Sequence, residues 1–211
     1  MKHTDPFYPD QYYHLFNHAV GRDNFFNCDD NYRYFLNKYS HYITPICQTF
    51  AYCLMPNHFH FLVRVRGEDT LFHQAQSLQP DKDLVQADFA YPKFVMQQFS
   101  NFFNGYTKAY NKMYERRGAL FIDYLRRKQV EGDRYFTQMI HYIHHNPVHH
   151  QFCQAPAEWP YSSYRAVLSQ PESKLERETV LAWFGGAAAF RACHQTAPPI
   201  EFLDLIRKRI M

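Results

Sequence analysis

The sequence predicts an α+β fold in which helices pack on one side of an antiparallel sheet. Strand-like and helix-like segments follow one another in the order β-α-β-β-α-β, with one further helix after the last strand. Only the dipeptide Pro56–Asn57 separates the second strand from the third, so these two strands should pair as a hairpin. Phenylalanine and tyrosine recur at helical spacing between the third and fourth strands, which predicts a long amphipathic helix there.

The first half of the chain supplies three strands and one helix. Residues 12–20 are apolar and aromatic with weak alternation, which indicates the first strand. Asp29 suits a helix start, and this helix should end before Pro45. Its apolar positions follow the helical repeat and are Tyr32, Phe35, Leu36, Tyr39 and Tyr42. Residues 46–55 and 58–65 then form the two strands of the hairpin.

After the hairpin come an insertion, two helices and the last strand. Residues 66–91 are only weakly periodic, and we interpret them as an insertion that is partly loop. The long helix should cover residues 92–116, and the fourth strand should cover residues 119–130. A last core helix should run over residues 134–146, because Pro147 disfavours helical geometry at the residue before it.

The end of the chain is predicted as a small helical tail. Short helical stretches occur near residues 176–184, 187–194 and 200–210, separated by Gly-Gly and Pro-Pro pairs. We therefore predict a core domain of residues 1–150, which contains the insertion, and a helical C-terminal extension of residues 151–211.

Composition indicates a water-soluble protein of a reducing compartment. The 211 residues contain no apolar stretch long enough to span a bilayer, and the first residues do not resemble a signal peptide. The five cysteines are odd in number and show no C-x-x-C spacing, which favours free thiols in the cytosol and argues against structural zinc. The net charge of +3 by itself predicts no partner.

One segment is more basic than the chain as a whole. Its cationic side chains are Lys108, Lys112, Arg116, Arg117, Arg126, Arg127 and Lys128. Aromatic side chains lie between them, namely Tyr106, Tyr110, Tyr114, Phe121 and Tyr124. Nucleic-acid binding requires cationic side chains that contact phosphates and aromatic rings on which bases stack. We therefore predict sequence-independent DNA contacts in this segment. The alternative is a solvated helix face.

Two histidines stand two residues apart at the start of the third strand. Alternate residues of a strand point to the same face with Cα atoms roughly 6.5 Å apart, so His58 and His60 project from one side. Two imidazoles at this spacing can reach one divalent cation. The alternative is a partly buried strand with two polar positions that face water.

The helix predicted over residues 134–146 carries a second set of polar groups. Tyr142 and Asn146 are four residues apart and share a flank of its apolar stripe, together with Tyr135. If this helix packs beside the third strand, that flank faces the two histidines. Two imidazoles and an amide oxygen suit Mg²⁺ or Mn²⁺ weakly and leave positions open for substrate oxygens. Alternatively, Tyr142 is an ordinary interfacial tyrosine and Asn146 serves only to cap the helix.

A run of further histidines follows in the same helix. His144 and His145 fall on other faces of the helix than Tyr142, and we predict that they are helix-end and surface residues, together with His149 and His150. His14 and His18 on the first strand could lie near the histidine pair, but nothing in the sequence places them there.

Two segments carry a resemblance to a known family. The stretches AYCLMPNHFHFLV and HYIHHNPV together resemble the HUH single-tyrosine transposases, and most closely the REP-associated tyrosine transposases. The resemblance extends from Tyr12 to about Tyr164 and includes the GALF and W-x-x-S-S-Y segments. Family members usually carry Gln and Arg where this chain has Ile122 and His149, a difference that concerns substrate recognition more than chemistry.

The resemblance implies a fold, a site and a reaction. The fold is the ferredoxin-like sandwich of the HUH endonucleases. By position, His58 and His60 bind the metal, Asn146 completes the metal site, and Tyr142 is the nucleophile. The expected activity is metal-dependent cutting and rejoining of single-stranded or hairpin DNA through a 5′-phosphotyrosine, with Mg²⁺ or Mn²⁺ as cofactor.

The resemblance also bears on partners and leaves one alternative open. DNA is the expected partner, a membrane is not, and both a homodimer and a monomer remain open. The expected location is the cytoplasm, in association with the nucleoid. The alternative function is that of a domesticated protein that binds hairpin DNA without cutting it.

Overall fold

A computed structural model describes residues 5–122, 125–169 and 173–210 of the chain. In these ranges one sheet is built from β1 (Tyr12–His18), β2 (Cys47–Met55), β3 (His58–Val65) and β4 (Arg126–Val130). The strand order is β2-β3-β1-β4, and each neighbouring pair is antiparallel. The predicted fold class and the predicted β2–β3 hairpin are confirmed.

The helices follow in chain order. The α-helices before residue 150 are α1 (Asp29–Tyr42), α2 (Glu68–Leu78), α3 (Tyr91–Met113) and α4 (Asp133–His149). Those after it are α5 (Tyr164–Leu168), α6 (Arg177–Phe184), α7 (Ala187–Cys193) and α8 (Ile200–Ile210). Short 3₁₀ turns lie at Gln86–Asp88 and Pro156–Glu158. In the described part of the chain, each helix is too short or too polar to cross a bilayer.

The two helices that connect strands, α1 and α3, pack on the same face of the sheet. Phe35 of α1 lies between Phe59 of β3 and Phe102 of α3, with ring centroids 5.6 Å and 4.7 Å apart. Tyr32, Phe35 and Tyr39 are all buried, as the helical repeat predicted. This face therefore holds an aromatic core of the kind that the high phenylalanine and tyrosine content requires.

The opposite face of the sheet is covered as well. The apolar stripe of α4 lies on this face and consists of Phe136, Met139, Ile140 and Ile143. Val180 of α6, Phe190 of α7 and Phe202 of α8 join the same core. The expectation that helices pack on one side only is therefore wrong for the molecule, although it holds for α1 and α3. The physical reason is that the sheet carries apolar side chains on both faces, for example Phe61 on the side of α1 and Leu62 on the side of α4, so both faces need cover.

The segment before α5 protects one edge of the sheet. Leu54 of β2 donates a backbone hydrogen bond to the Tyr161 carbonyl at 2.9 Å, and Ser163 donates one to the Tyr52 carbonyl at 2.9 Å. These bonds satisfy backbone groups at the free side of β2, which would otherwise be open to pairing with another chain. The division of the chain at residue 150 stays a prediction.

Two boundaries differ from the prediction. Residues 66–91 contain the helix α2, whose Leu71, Phe72 and Ala75 are buried against the aromatic core. Three buried positions in eleven residues give too weak a period for sequence reasoning to find. The last strand begins at Arg126 rather than at residue 119, and residues 123 and 124 lie outside the described residues.

The helix α4 does not end before its proline. Pro147 lies inside α4, which continues to His149, and the amide of His150 still donates to the Asn146 carbonyl at 2.9 Å. The prediction that the helix closes at Asn146 is therefore wrong. Proline removes one backbone donor, and one turn from the helix end this loss is small against the burial of the residues around it.

Candidate functional site

The histidine pair of β3 lies beneath α4. His58 is opposite His18 of β1, and His60 is opposite Phe16, so all four side chains project from the same face of the sheet. His58 and His60 are only 3% and 4% exposed. The interpretation of two polar positions that face water is therefore wrong. Buried polar side chains need partners, which the neighbouring residues supply.

Each histidine of the pair uses its Nδ1 atom inside the protein. The Nδ1 atom of His58 lies 2.8 Å from the Asn57 Oδ1 atom, and the Nδ1 atom of His60 lies 2.9 Å from the Nε2 atom of His14. Burial lowers the pKa of His58 to about 3 and the pKa of His60 well below the usual value for histidine. Both rings are neutral at physiological pH, and neutral imidazole is the form that binds metal.

The helix α4 crosses the histidine face because the chain turns back directly after β4. Gly132 precedes α4 with a φ angle of 88°, a conformation that glycine adopts without steric cost. The ring of Tyr142 then lies edge-on to His60 and His14, with centroid distances of 5.5 Å and 6.1 Å. The structure thus brings Tyr142 to the histidine pair, as the sequence predicted. Its role as a nucleophile stays a prediction.

Asn146 lies between two contacts of α4 with the histidine face. Tyr142 is one turn before it, and the ring of His150, one turn after it, lies 4.8 Å from the ring of His58. The Asn146 side chain is buried, and its Nδ2 donates to the Tyr142 carbonyl at 2.9 Å. It does not cap the helix, which continues past it. Its amide oxygen as a metal ligand stays a prediction.

A cavity of about 300 Å³ opens beside this part of α4. Tyr142, Asn146 and His149 line it from the helix, and Gln195 and Leu203 line it from the C-terminal segments. The flank of α4 that carries the tyrosine therefore has accessible volume next to it, which a ligand can enter.

The donor set around β3 decides which cation fits. Within the ranges that the structure describes, no group of three or more His, Cys, Asp or Glu side chains is placed to hold a metal ion. The site offers two neutral imidazoles, and Asn146 is the buried amide on α4 between Tyr142 and His150. Such a set fits a weakly held cation that completes its shell with water or substrate oxygens, which is the behaviour of Mg²⁺ and Mn²⁺.

Sequence reasoning missed three histidines of this face. His14 is hydrogen-bonded to His60, His18 stacks on His58 with centroids 4.7 Å apart, and His150 lies against His58 from α4. The β1–β3 register decides these contacts. Nothing in the local sequence fixes that register. We refer to His14, His58 and His60 as the site cluster.

A second histidine cluster lies on the other side of α4. It consists of His141, His144, His145 and His194, which we call the C-terminal cluster, and all four side chains are buried. The prediction that His144 and His145 are surface residues is therefore wrong, whereas His149 and His150 are exposed as expected. The helices α6 and α7 cover this side of α4, a long-range contact that the sequence does not reveal.

The basic segment divides into buried and exposed parts. Arg127 is 9% exposed, donates to the Leu125 carbonyl at 3.2 Å and lies over the Phe7 ring. Arg116 pairs with Asp23 and donates to the Ala119 carbonyl. These two arginines are held inside the fold.

Three cations of the segment are exposed, and two more stand on the histidine face. Lys108, Lys112 and Arg117 are exposed on and after α3. Arg126 is opposite Phe16 and Lys128 is opposite His14 across the β1–β4 pair, so both side chains project from the same face as the site cluster. Lys128 also forms an ion pair of 3.7 Å with Asp5.

Two aromatic residues of the basic segment are not available for stacking on bases. Tyr106 and Tyr110 are buried, and their hydroxyls donate to the backbone carbonyls of Phe25 and Asn24. The expectation that they stack on bases is wrong, because they belong to the aromatic core. Tyr124 lies outside the described residues.

Comparison with known proteins finds a shared fold. No protein-family model and no curated protein sequence matches the chain. Among solved structures, a REP-associated tyrosine transposase bound to a REP hairpin superimposes with a TM-score of 0.57 over 80% of this chain and 85% of that one. The two sequences are 12% identical, so the likeness concerns the fold alone.

Proposed function

We propose that the protein is a metal-assisted nuclease and strand transferase of the HUH tyrosine type, which acts on single-stranded or hairpin DNA. The observation that carries the proposal is the position of Tyr142, whose ring lies 5.5 Å from that of His60 over a pair of neutral histidines. The solved structure with the same fold has a REP hairpin bound, which supports a folded single strand as the substrate.

In the proposed reaction, Tyr142 is the nucleophile. Its oxygen forms a bond to the scissile phosphorus while the bond from phosphorus to the 3′ oxygen breaks, and the proton that the phenol loses is balanced by the proton that the leaving 3′ oxygen takes up from solvent. The products are a 5′-phosphotyrosine and a DNA end with a free 3′-hydroxyl. Attack by a second 3′-hydroxyl reverses the step and joins strands without ATP, because the covalent link conserves the bond energy.

The residues around Tyr142 place the phosphate. A tyrosine with an ordinary pKa near 10 is a poor nucleophile at neutral pH, so the phosphorus has to be activated. The Nε2 atoms of His58 and His60, with the amide oxygen of Asn146, would hold the cation. A bound Mg²⁺ or Mn²⁺ supplies charge withdrawal from the phosphate and orients it for in-line attack.

Cationic side chains on both faces of the sheet contact the DNA strand in this proposal. Arg126 and Lys128 stand on β4 on the face of the site cluster, whereas Lys108, Lys112 and Arg117 are exposed on and after α3, which packs on the opposite face. Such contacts go to phosphates and carry no sequence information. Arg116 and Arg127 have structural roles, because their guanidinium groups are bonded inside the fold.

The test is covalent capture of DNA. The protein is incubated with Mn²⁺ and a DNA hairpin that carries single-stranded flanks, and the products are separated on a denaturing gel. We expect a protein–DNA adduct that Tyr142→Phe abolishes. Tyr135→Phe, on the same flank of α4 two turns earlier, is the matched control and should retain the adduct. An adduct that survives Tyr142→Phe overturns the assignment of the nucleophile.

Hairpin binding without cleavage is the second candidate. The observation in its favour is that, among the described residues, no three His, Cys, Asp or Glu side chains are placed to hold a cation. A gel shift with the same hairpin, without any adduct in Mn²⁺ or Mg²⁺, would establish it. Either function places the protein at the nucleoid in the cytoplasm, and monomeric and dimeric forms are both compatible with a tyrosine that meets the histidines of its own chain.

A further inference from the structure

Each histidine of the pair on β3 has a neighbour that holds its Nδ1 atom. Asn57 presents its side-chain oxygen to His58 at 2.8 Å, and His14 presents a ring nitrogen to His60 at 2.9 Å. Both contacts lie on the side of the rings away from the Nε2 atoms. The two neighbours come from different elements, since Asn57 belongs to the hairpin turn and His14 to β1.

The Asn57 contact selects one tautomer of His58, and the His14 contact is compatible with the same tautomer of His60. A neutral imidazole carries its proton on one nitrogen only, and the amide oxygen of Asn57 can only accept a hydrogen bond. His58 must therefore carry its proton on Nδ1, which leaves the lone pair on Nε2. If His60 also donates from Nδ1, the Nε2 atom of His14 is the acceptor, and His60 has its lone pair on Nε2 too. A histidine that binds a metal commonly donates its other N–H in this way.

The acceptor for His60 is held rigidly. His14 is 1% exposed and is adjacent to His60 across the β1–β3 ladder, between Tyr142 on one side and Phe16 on the other. No carboxylate takes part, so the contact orients the ring without adding charge to it. Asn57, by contrast, is exposed at the turn and can be changed without opening the core.

We propose that Asn57 and His14 are positioning residues, which fix His58 and His60 in the Nδ1–H tautomer so that both Nε2 atoms are presented to one divalent cation. The proposal rests on the proposed function for the identity of the ligand. It adds two residues that do not bind the cation themselves. Asn57 positions the ring of His58, and His14 positions the ring of His60. The alternative is that both contacts only satisfy buried polar atoms.

The C-terminal cluster provides a control that distinguishes positioning of a metal ligand from simple satisfaction of buried polar atoms, because it contains the same kind of hydrogen bond. There the Nδ1 atom of His144 lies 2.9 Å from the Nε2 atom of His194, and both rings are buried. A histidine–histidine hydrogen bond with a purely structural role thus exists in the same molecule. Its loss should leave cation binding unchanged.

The first measurement is the tautomer in the metal-free protein. Long-range ¹H–¹⁵N correlation spectra of the imidazole rings should show His58 and His60 with the proton on Nδ1. In His14→Leu the His60 signal should move to a mixture of tautomers or to Nε2–H, and His14→Gln should restore the parent pattern through its side-chain oxygen. A parent protein with His60 in the Nε2–H form overturns the assignment of His14, whether or not a cation binds.

The second measurement is titration with Mn²⁺, followed by electron paramagnetic resonance. We expect Asn57→Ala and His14→Leu each to weaken Mn²⁺ binding about 10–100-fold. His14→Gln should recover most of the affinity, and His144→Gln should match the parent. Variants that bind Mn²⁺ as tightly as the parent overturn the proposal. If the parent protein binds no Mn²⁺, the metal-dependent part of the proposed function is wrong. The tautomer spectra then still show whether His14 and Asn57 position the two rings.

Discussion

The two histidine clusters lie on opposite sides of α4 and are equally buried, yet they differ in what their ring nitrogens meet. In the C-terminal cluster both nitrogens of His144 are bonded inside the protein, one to His194 at 2.9 Å and one to Ser163 Oγ at 2.7 Å. The second nitrogen of His194 bonds to the Phe190 carbonyl at 2.8 Å. In the site cluster, His58 and His60 each form a hydrogen bond through Nδ1, and in the described part of the chain their Nε2 atoms form none.

The comparison shows that burial of a histidine does not identify a functional site. Burial lowers the pKa in both clusters, for example to about 3 in His58 and in His194. What distinguishes the site cluster is that, among the described residues, the Nε2 atoms of His58 and His60 make no hydrogen bond, and that Tyr142, Arg126 and Lys128 lie on the same face. A histidine with both ring nitrogens hydrogen-bonded inside the protein stabilises the fold, whereas one with only a single bonded nitrogen can bind a ligand through the other.

Removal of a site histidine should have the largest effect on activity. His60→Ala deletes one of two imidazoles, and loss of cation-assisted charge stabilisation of about 4 kcal/mol corresponds to roughly a 1000-fold lower rate of adduct formation. The measurement is the single-turnover rate of adduct formation with the hairpin at saturating Mn²⁺. A rate within tenfold of the parent would contradict the role of the pair.

Removal of a C-terminal histidine should instead affect stability. His144→Ala leaves the Nε2 atom of His194 without its partner, takes one of its bonds from Ser163 Oγ and opens a cavity in the core, so we expect a loss of about 3 kcal/mol in the free energy of unfolding. Urea unfolding followed by circular dichroism measures it. The rate of adduct formation per folded molecule should stay at the parent value, and a large fall in that rate would erase the distinction between the clusters.

Acid should act on the C-terminal cluster through stability. Burial lowers the pKa of His194 to about 3 and of His141 to about 4 in the folded protein, whereas the unfolded chain titrates near 6.5. The unfolded state therefore binds more protons, and stability that is present above pH 6.5 is lost as pH falls toward 4. Each such histidine contributes a slope of about 1.4 kcal/mol per pH unit in that window.

The matched comparison is His141→Gln, which removes one titrating ring. Urea midpoints at pH 7, 6 and 5 should fall less steeply for this variant than for the parent, even if its stability at pH 7 is lower. Identical slopes in the two proteins would mean that His141 does not stay neutral in the folded state.

Much of the fold and part of the site follow from the sequence. The hairpin at Pro56–Asn57, the aromatic stripe of α1 and the apolar stripe of α4 rest on local periodicity, which sequence reasoning detects well. The approach of Tyr142 to His60 was predictable in part, because the flank of α4 follows from helical spacing.

The rest depends on contacts between distant segments. The place of His14 beside His60 follows from the β1–β3 register, and a shift of one residue would turn His14 to the aromatic core. The burial of His144 requires α7, which comes some 40 residues later in the chain. Arg127 lies on the aromatic-core face and Arg126 on the face of the site cluster because the β1–β4 register pairs them with Leu15 and Phe16. Local patterns carry none of this.

A smaller effect is expected at the open side of the site cluster. Arg126 stands opposite Phe16 on the edge strand β4, and burial followed by the charge of Arg126 lowers the pKa of the neighbouring His18. If it contacts a DNA phosphate, Arg126→Ala should weaken hairpin binding about threefold to tenfold and reduce the slope of log K against log salt by about 1. The weakening should be uniform across hairpin sequences, since a phosphate contact carries no sequence information.

The matched control for Arg126 is Arg191, an exposed arginine on α7 beside the C-terminal cluster. Arg191→Ala removes the same charge from the molecule, so a general effect of net charge on DNA binding would appear equally in both variants. Fluorescence anisotropy with a labelled hairpin at four salt concentrations separates the two cases. Equal losses for both variants would mean that DNA responds to overall charge, whereas a loss confined to Arg126→Ala places the DNA strand on the face of the sheet that carries His58 and His60.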